Sequence, residues 1–549
     1  DDNLMEKIYR IERRMAAVDP ELARWAPLIG QTLGLSVQDN DLTASLNAEL
    51  RKQRTFELVL ALLRDQARQE RLFLMVFEDV HWIDAISLEM LNYVARNIGD
   101  YPILLVALQR PTIELTEWPR HPYYHRLDLL DLPAESALEL VRHKLRMDEV
   151  PPALRERVLR GEERLNPFFV EEVINALVDQ GYLLAIPGDE GEEYLITGDL
   201  SEAQIPDSIQ ALVMSRIDRL DESSKLTVKV ASAIGRVFQY HILLSIYPVS
   251  VARERLLANL EKLDRIDLTP LDKPAPDLAY IFKHITTQEV AYESLLYKHR
   301  RELHHSIGEY VEATYPESLE EQYELLAYHY RLSGDQPKAW TYLVKAGDKA
   351  KKQYANEAAV DYYTQALGLE LETGSKPDNT YQVHESLGDV FSIVGQYEEA
   401  RDHYRTALSY DQPHITQAAE IRRKIAKTWE LQGRYDEALQ YLNLTREMLS
   451  EAERSPELSR IYNDMAWVDF QRGIYDDALD LCEQGIEIVE QLPQSEKRHR
   501  LRAELQHTLG SIYARKGNHK AAIDNFQASI EARQAIGDFY NIGRTYNNL

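Results

Sequence analysis

The sequence predicts a mixed fold, in which an α/β segment is followed by helical segments and then by an all-α solenoid of repeated helix pairs. Three observations predict this arrangement. Two short apolar runs, Leu72–Phe77 and Ile103–Leu108, begin 31 residues apart and enclose a helical pattern, and a glycine-centred motif occurs four times from Gly395 onward. The length of 549 residues exceeds what one hydrophobic core supports, so several domains are expected.

Composition is that of a globular protein that folds in water. The chain has 44% apolar and 28% charged residues and a net charge of −27, and no apolar run nears the roughly 20 residues of a membrane helix. The single cysteine, Cys482, cannot form an internal disulfide, and the N-terminus lacks the layout of a signal peptide. We therefore expect a cytoplasmic protein with no membrane association. The negative charge also predicts no nucleic-acid contact through this segment.

The two apolar runs are typical of strands that are buried on both faces of a parallel sheet. Between them, Leu88, Leu91, Ala95 and Ile98 recur at three- and four-residue steps, which places them on one face of a helix. Asp84 stands where the N-cap of that helix belongs. Strand, helix and strand at this spacing predict a βαβ unit.

The middle of the chain is mostly helical in pattern. Ala134–Arg146 and Pro167–Gln180 are the clearest helices, and the polar, glycine-containing segment Gly188–Glu193 predicts an exposed hairpin or loop. Residues 205–297 alternate short helices with brief apolar pieces. This pattern fits a small winged-helix-like module or a plain helical bundle, and periodicity does not separate the two.

The second half of the chain repeats itself. The motif G-x-Y/H-x-x-A begins at four glycines spaced by 38, 40 and 44 residues, namely Gly395, Gly433, Gly473 and Gly517. A small residue precedes each glycine by seven positions, namely Gly388, Ala426, Ala466 and Gly510. Small residues allow two helices to approach closely, and glycine suits a left-handed turn between them.

This repeat resembles the tetratricopeptide repeat, in a version slightly longer than the usual ~34 residues. Stacked helix pairs form a long groove, so we expect a protein or peptide partner there. Cys482 occupies the position that Tyr404, Leu442 and Phe526 hold in the other units, which predicts a packing role. The last residue, Leu549, falls where a further repeat should open, and the first residue is Asp1 rather than methionine. We therefore expect a fragment truncated at both ends.

An acidic doublet, Glu78-Asp79, directly follows the first apolar run. The carboxyl ends of parallel strands are where nucleotides bind in open α/β folds. Carboxylates at that edge can hold Mg²⁺ through water and orient an attacking water molecule. The alternative is a strand that simply ends in acidic loop residues.

The segment Glu78-Asp79-Val80-His81-Trp82-Ile83-Asp84 is similar to the Glu-Asp-x-His-Trp-x-Asp signature in the Walker B region of STAND-type P-loop ATPases. These are signal-transduction ATPases with numerous domains, here of the AAA-like branch found beside bacterial cyclases, kinases and regulators. Further segments resemble family motifs and occur in the same order as in the family. The strand with its sensor arginine corresponds to Leu104–Pro111, and the lid motif to Asn166–Glu172. The winged-helix segments correspond to Ile205–Gln210, Ser215–Leu220 and Ala231–Phe238, and the histidine segment to Phe282–Tyr292.

The resemblance implies ATP or ADP and Mg²⁺ as cofactors and a role for five residues. Glu78 and Asp79 would serve Mg²⁺ and water, with the nearer carboxylate left open, and Arg110 would sense the γ-phosphate. Pro167 would pack near adenine, and His284 would face the β-phosphate.

The resemblance also implies a domain order. Residues 1–128 would form part of a P-loop NTPase domain, 129–200 a helical lid, 201–285 a winged-helix-like module, 286–345 a helical connector, and 346–549 the tetratricopeptide repeats. No G-x-x-x-x-G-K-[ST] segment occurs in the sequence, so the phosphate-binding loop is absent and these residues alone are not expected to hydrolyse ATP.

The function implied is that of a nucleotide switch coupled to a protein-interaction surface, controlling a fused output domain such as a nucleotide cyclase or protein kinase. ADP would hold a closed form, and ATP would favour an open one that can oligomerise. Two alternatives stay open: a transcription regulator with a DNA-binding domain outside these residues, and a catalytically inactive tetratricopeptide scaffold.

Two further groups of residues are expected to have a structural role and no part in binding or catalysis. His81 and Trp82 are expected to pack in the turn between strand and helix. Lys298–Arg301, His304 and His305 are expected to form a solvated helix face.

Overall fold

A computed structural model describes residues 2–33, 35, 37–44, 46, 48–69, 72–80, 83–110, 118–162, 164–188, 191–249, 253–373, 377, 379–410, 414–450 and 455–549. The chain divides into two compact units. The first consists of residues 1–124 and 343–549, and the second of residues 125–342. Among the described residues, no helix combines the length and apolar character that crossing a membrane requires.

The N-terminal part of the first unit contains a βαβ unit preceded by helices. Its elements are α1 (Asp2–Val18), α2 (Ala26–Thr32), α3 (Asp41–Ala44), α4 (Ala48–Gln69), β1 (Phe73–Phe77), α5 (Ala85–Arg96) and β2 (Ile103–Ala107). Strands β1 and β2 are parallel, with Phe73 opposite Ile103 and Phe77 opposite Ala107. The predicted strand–helix–strand order is therefore confirmed.

One face of this two-stranded sheet is packed and the other is open. Leu60 of α4 and Val94 of α5 pack with Met75 and Leu105, so both helices cover the same face. The opposite face carries Leu74, Val76 and Leu104, which are 53%, 49% and 49% exposed. The expectation of strands buried on both faces is wrong for these residues, because a crossover helix and its neighbour cover only one side.

The second unit begins with a helical subdomain and one hairpin. Its elements are β3 (Leu132–Pro133), α6 (Ala134–Leu145), α7 (Pro152–Leu159), β4 (Arg164–Leu165), α8 (Pro167–Asp179), β5 (Leu183–Gly188) and β6 (Gly191–Ile196). Val141, Val158, Val173 and Leu177 share one core. Strands β5 and β6 are antiparallel and flank the polar segment, which confirms the predicted hairpin, although residues 189 and 190 lie outside the described part.

The rest of the second unit mixes helices with a small sheet. Its elements are α9 (Ile209–Asp218), α10 (Glu222–Ile234), β7 (Val237–Gln239), α11 (Tyr240–Ile246), α12 (Arg253–Arg265), β8 (Leu271–Lys273), β9 (Ala279–Ile281), α13 (Ile285–Glu293), α14 (Tyr297–Thr314) and α15 (Tyr323–Ser333). The strands form an antiparallel sheet in the order β7-β9-β8, so a purely helical bundle is excluded. Phe238 and Phe282 are fully buried against each other, with ring centroids 5.5 Å apart.

The predicted solvated face of α14 is partly wrong. Lys298 and His299 are exposed, but His304 is buried. Its Nδ1 lies 2.8 Å from Nδ1 of buried His329, and its Nε2 lies 2.9 Å from the hydroxyl of Tyr292. Burial lowers the pKa of His304 to about 4 and that of His329 to about 3. The pair is therefore neutral at pH 7, and a neutral pair can share one proton between its facing nitrogens.

The solenoid is a series of antiparallel helix pairs. Its helices are α16 (Gln336–Lys352), α17 (Asn356–Thr373), α18 (Thr380–Ile393), α19 (Tyr397–Ser409), α20 (Ile415–Leu431), α21 (Tyr435–Ser450), α22 (Pro456–Arg472), α23 (Tyr475–Gln491), α24 (Glu496–Arg515), α25 (His519–Gln534) and α26 (Phe539–Asn548). The four motif glycines have left-handed backbones, with φ from 72° to 83°, as the repeat predicts.

A small residue in the first helix of each pair faces a larger side chain 16 residues later. A Cβ built on Gly347 would lie 2.6 Å from the ring of Tyr363, and one on Gly510 would lie 2.7 Å from the ring of Phe526. Ala466 and Cys482 form the corresponding pair and are both fully buried. The packing role of Cys482 is confirmed, and burial raises the pKa of its thiol to about 12.

Replacing Gly510 with alanine should destabilise the solenoid. The added methyl group meets the buried Phe526 ring, and such overpacking costs about 1–3 kcal/mol, which outweighs the gain of about 1 kcal/mol in helix propensity. Gly368→Ala is the matched control, because a Cβ there meets no described atom within 4 Å. Urea unfolding followed by circular dichroism should show a loss for Gly510→Ala only. Equal effects of the two substitutions would contradict this packing.

The buried His304–His329 pair should make the protein acid-sensitive. Both pKa values lie below the ~6.5 of an unfolded histidine, so from about pH 6.5 down to about 4 the unfolded chain binds protons that the folded chain does not. As the pH is lowered through this range, the free energy of unfolding should decrease by about 1.4 kcal/mol per pH unit for each histidine. Urea titrations at several pH values should show a shallower slope for His304→Gln/His329→Gln. The slope of the exposed variant His299→Gln should match the wild type.

Candidate functional site

The carboxyl ends of β1 and β2 bring three predicted residues to one edge of the sheet. The ladder continues past the strands, because Leu108 N donates to Phe77 O at 2.8 Å and Val80 N donates to Leu108 O at 3.0 Å. Glu78 and Asp79 therefore lie between two backbone links to β2, and Arg110 follows Leu108 by two residues. The register places the acidic doublet beside the segment that carries the arginine.

The turn after β1 has one buried residue, and its two acidic residues are accessible to solvent. Val80 is 2% exposed, whereas Glu78 is exposed and Asp79 is half-buried. Asp79 has a left-handed backbone with φ 55°, a conformation that is uncommon outside glycine and that often marks functional sites. The turn then leads into α5, where the Asp84 carboxylate accepts from Ser87 N at 3.0 Å, which confirms the predicted N-cap.

The carboxylate pair suits one kind of metal ion. Among the described residues, no group of three or more His, Cys, Asp or Glu side chains is placed to hold a metal ion. Mg²⁺, however, is usually held by one or two carboxylates together with phosphate oxygens and water. Two adjacent carboxylates at a sheet edge meet that requirement. His81, Trp82 and Pro111 lie outside the described residues.

Pro167 and His284 belong to the second unit, where the N-terminus of α8 meets the residue that precedes α13. Asn166 caps α8 by accepting from Phe168 N at 2.9 Å, and Pro167 is the first helical residue. The rings of Phe168 and His284 have centroids 4.0 Å apart. The Glu171 carboxylate lies 3.9 Å from His284 Nε2. The structure therefore brings the two predicted segments into direct contact through Phe168.

The surroundings of His284 keep its imidazole neutral. Burial is the main cause that lowers its pKa, and Lys283 lowers it further, while Glu171 acts in the opposite direction. A neutral imidazole offers one donor and one acceptor. Lys144 Nζ lies 3.7 Å from the same Glu171 carboxylate, and burial lowers the pKa of that lysine. Glu171 thus links His284 and Lys144 in one polar cluster, and the His284 ring also contacts Phe168.

A buried ion pair fastens α8 to α9. The Glu172 carboxylate, 2% exposed, accepts from Arg216 Nη1 at 2.7 Å and from the Asn175 amide at 3.0 Å. Arg216 also donates to Ile266 O at 2.9 Å. Sequence reasoning assigned no role to Glu171 or Glu172. The position of Glu171 three residues after Phe168, on the same face of a helix, could have revealed its contact with the histidine.

The solenoid contains a cavity that sequence reasoning did not predict. Its volume is about 610 Å³, and it is lined by residues of α20, α22, α24, α25 and α26, with Asn463, Trp467, Glu504 and His507 among them. Two repeat positions recur in this lining. Asn463 and His507 stand three residues before the small residue of their repeat, and Lys427 and Trp467 stand one residue after it. This spacing can be seen in the sequence, but the charged residues that line the cavity come from different repeats, so the cavity itself could not be predicted.

Comparison with known families identifies the helix pairs. Family profiles described as tetratricopeptide repeat match residues 417–491, 381–414 and 503–536. The solenoid is therefore built of tetratricopeptide repeats, as its motif predicts.

Comparison of the whole chain gives more distant similarities. An uncharacterized protein of Rhizobium meliloti (strain 1021) is 25% identical over an alignment of 438 residues, and this alignment covers 77% of the present chain and 40% of that protein. A STAND protein with a tetratricopeptide repeat sensor from Pyrococcus horikoshii is 14% identical, over 90% of this chain and 66% of that one, with a TM-score of 0.42. BtubC from P. vanneervenii is 20% identical, over 42% of this chain and 92% of that one, with a TM-score of 0.33. The chain thus spans less than two thirds of the length of the Rhizobium and Pyrococcus proteins.

Removing Arg216 should strongly destabilise the second unit. Arg216→Met leaves the Glu172 carboxylate buried without its counter-charge, which costs about 3–5 kcal/mol. Thermal unfolding should show this loss, and the double variant Arg216→Met/Glu172→Gln should recover part of it because glutamine carries no charge. Asp207→Asn removes an exposed ion pair with Arg160 and should change stability by less than about 0.5 kcal/mol. A small effect of Arg216→Met would refute the anchoring role.

Proposed function

We propose that this chain is the regulatory part of a STAND-type ATPase, in which nucleotide binding controls a tetratricopeptide interaction surface. The parallel register that gathers Glu78, Asp79 and Arg110 at one sheet edge carries the proposal. Open α/β sheets bind nucleotides at that edge. The similarity of the Glu78–Asp84 segment to the family signature supports the same assignment.

The three side chains have complementary tasks in this proposal. Glu78 and Asp79 would hold Mg²⁺ of an ATP complex through carboxylate oxygens and water, and one of them would orient the attacking water. Arg110 would contact the γ-phosphate with its guanidinium, whose charge and donors fit a terminal phosphate. An arginine that contacts the γ-phosphate distinguishes ATP from ADP, which is the difference in binding that a switch requires.

The contact between Phe168 and His284 supports the coupling step. In the proposal, residues 129–200 are the lid and 201–285 the winged-helix-like module, whose sheet β7-β9-β8 accompanies helices α9 to α12. Pro167 would pack near adenine and His284 would meet the β-phosphate. A nucleotide bound there would hold the lid and the histidine segment together, and its exchange would release them.

The tetratricopeptide repeats supply the interaction surface, because stacked helix pairs expose a concave groove to protein or peptide partners. The output would be a fused domain such as a nucleotide cyclase or protein kinase, with nucleotide-dependent oligomers as one form of assembly. A transcription regulator with its DNA-binding domain elsewhere would use the same switch. The second candidate is a catalytically inactive tetratricopeptide scaffold, and the family profiles that match the repeats favour it because they identify an interaction module.

Magnesium-dependent ATP binding should require the acidic doublet. The test uses the longest natural polypeptide that contains these residues, with a fluorescent ATP analogue titrated in the presence of Mg²⁺ or EDTA. Glu78→Gln/Asp79→Asn should weaken Mg²⁺-dependent binding by roughly 10–100-fold, because it removes both carboxylates, and should change binding in EDTA little.

The matched control is Asp100→Asn, which removes an exposed carboxylate at the opposite, amino end of β2. It should bind as the wild type does. If the double variant bound Mg²⁺-ATP normally, the doublet would have no part in the site. If the wild type bound no nucleotide, the scaffold function would be the correct one.

A further inference from the structure

Two adjacent glutamates of α8, Glu171 and Glu172, are held very differently. The Glu172 carboxylate is buried and accepts from Arg216 Nη1 at 2.7 Å. The Glu171 side chain is 27% exposed and has two basic neighbours at longer range. Its Oε2 atom lies 3.7 Å from Lys144 Nζ and 3.9 Å from His284 Nε2, and both distances exceed the ~3.2 Å of a normal hydrogen bond. Glu171 is therefore close to two donors and fixed by neither.

The charge of Glu171 does not compensate its two neighbours for their burial. The pKa of Lys144 is lowered, chiefly by burial, although the Glu171 carboxylate raises it. The pKa of His284 is lowered for the same main reason, and the same carboxylate raises it. Other charges nearby are already used in ion pairs, namely Lys283 with Asp267 and Arg216 with Glu172. The cluster can therefore accommodate more negative charge than one carboxylate supplies at this distance.

The three side chains differ in how firmly they are placed. His284 directly precedes α13, and its ring lies against that of Phe168, with centroids 4.0 Å apart. Lys144 extends from the last turn of α6, and Glu171 from near the start of α8, and each side chain is 27% exposed. The carboxylate of Glu171 can thus turn into solvent by rotation of its own side chain, while the helix stays in place.

A phosphate group suits the two donors better than the carboxylate does. Lys144 and His284 now face the same oxygen atom, Oε2. A terminal phosphate has three acceptor oxygens and nearly two negative charges, so each donor can bind an oxygen of its own. The lysine supplies a positive charge, and the neutral imidazole supplies one hydrogen bond when its proton is on Nε2.

We propose that Lys144 and His284 bind the terminal phosphate of a nucleoside diphosphate or of free pyrophosphate, and that Glu171 occupies this phosphate site when it is empty. The ligand displaces the Glu171 carboxylate, which turns into solvent. Glu171 is then an internal competitor that lowers the affinity for the phosphate. The proposal rests on the proposed function, which assigns the β-phosphate to His284, and adds Lys144 as a second donor and Glu171 as a regulator.

The test uses isothermal titration calorimetry with ADP, pyrophosphate or AMP, on the longest natural polypeptide that contains these residues. EDTA is present throughout, so that the result does not depend on the acidic doublet and its Mg²⁺. Glu171→Gln should bind ADP and pyrophosphate at least about fivefold more tightly than the wild type, because it removes a like charge about 4 Å from the phosphate. Its affinity for AMP, which has no β-phosphate, should change less than about twofold.

Variants of Lys144 should have the opposite effect. Lys144→Met should weaken the binding of ADP and pyrophosphate at least about tenfold, because it removes a charge-assisted hydrogen bond. Lys144→Arg keeps the charge and should recover most of that loss. The matched control is Glu156→Gln, which removes an exposed carboxylate of α7 and should bind both ligands within about twofold of the wild type.

The opposite signs separate displacement from a purely structural role, because damage to the fold would weaken binding in both Glu171→Gln and Lys144→Met. If the wild type bound ADP and Glu171→Gln bound it no more tightly, Glu171 would not be a competitor, and the proposed function would still stand. Normal ADP binding by Lys144→Met would likewise exclude the lysine as a phosphate ligand.

Failure of the proposed function itself gives a different result. If pyrophosphate showed the expected pattern and ADP did not bind, the phosphate site would be correct and the nucleotide switch would be wrong. If neither ligand bound to the wild type or to Glu171→Gln, the phosphate site and the nucleotide switch would both be wrong.

Discussion

The parallel pairing of β1 and β2 is the constraint on which the candidate nucleotide site depends. Parallel strands end at the same edge of a sheet, so a residue that follows one strand lies near the residue that follows its neighbour. Here the ladder runs on to Val80 and Leu108, which fixes the turn that holds Glu78 and Asp79. The α5 crossover takes the chain from the carboxyl edge of the sheet back to its amino edge, so that β2 can run parallel to β1. The Asp84 cap starts that helix directly after the turn.

A second, independent constraint sets the solenoid. A small residue lies against a large one 16 positions later, so the paired helices approach closely and each repeat packs on the next. The same stacking places residues of α20, α22, α24 and α26 around one cavity. Helix packing and the lining of the cavity therefore use different positions of the same helices. The small residues face their partner helices, and the polar residues three before or one after them line the cavity.

Several predictions failed or were incomplete where burial depends on distant parts of the chain. The run at Leu74–Val76 looks buried on both faces, yet one face is open because both neighbouring helices pack on the other. His304 stands in a basic, polar stretch, yet it is buried because α15 supplies His329 opposite it. In both cases the type of secondary structure was predicted correctly, and the neighbour that decides exposure comes from another element.

Short-range spacing and backbone sterics are enough to predict the strand–helix–strand order, the Asp84 cap, the left-handed glycines of the repeats and the packing role of Cys482. Only the packing of the folded chain shows that Phe168 meets His284, that Glu172 is buried against Arg216, and that Glu504 and Arg544 line one cavity. Those pairs are 40 to 116 residues apart in the chain. Periodicity shows which face of a helix is polar, but only the packing of helices shows which polar faces meet.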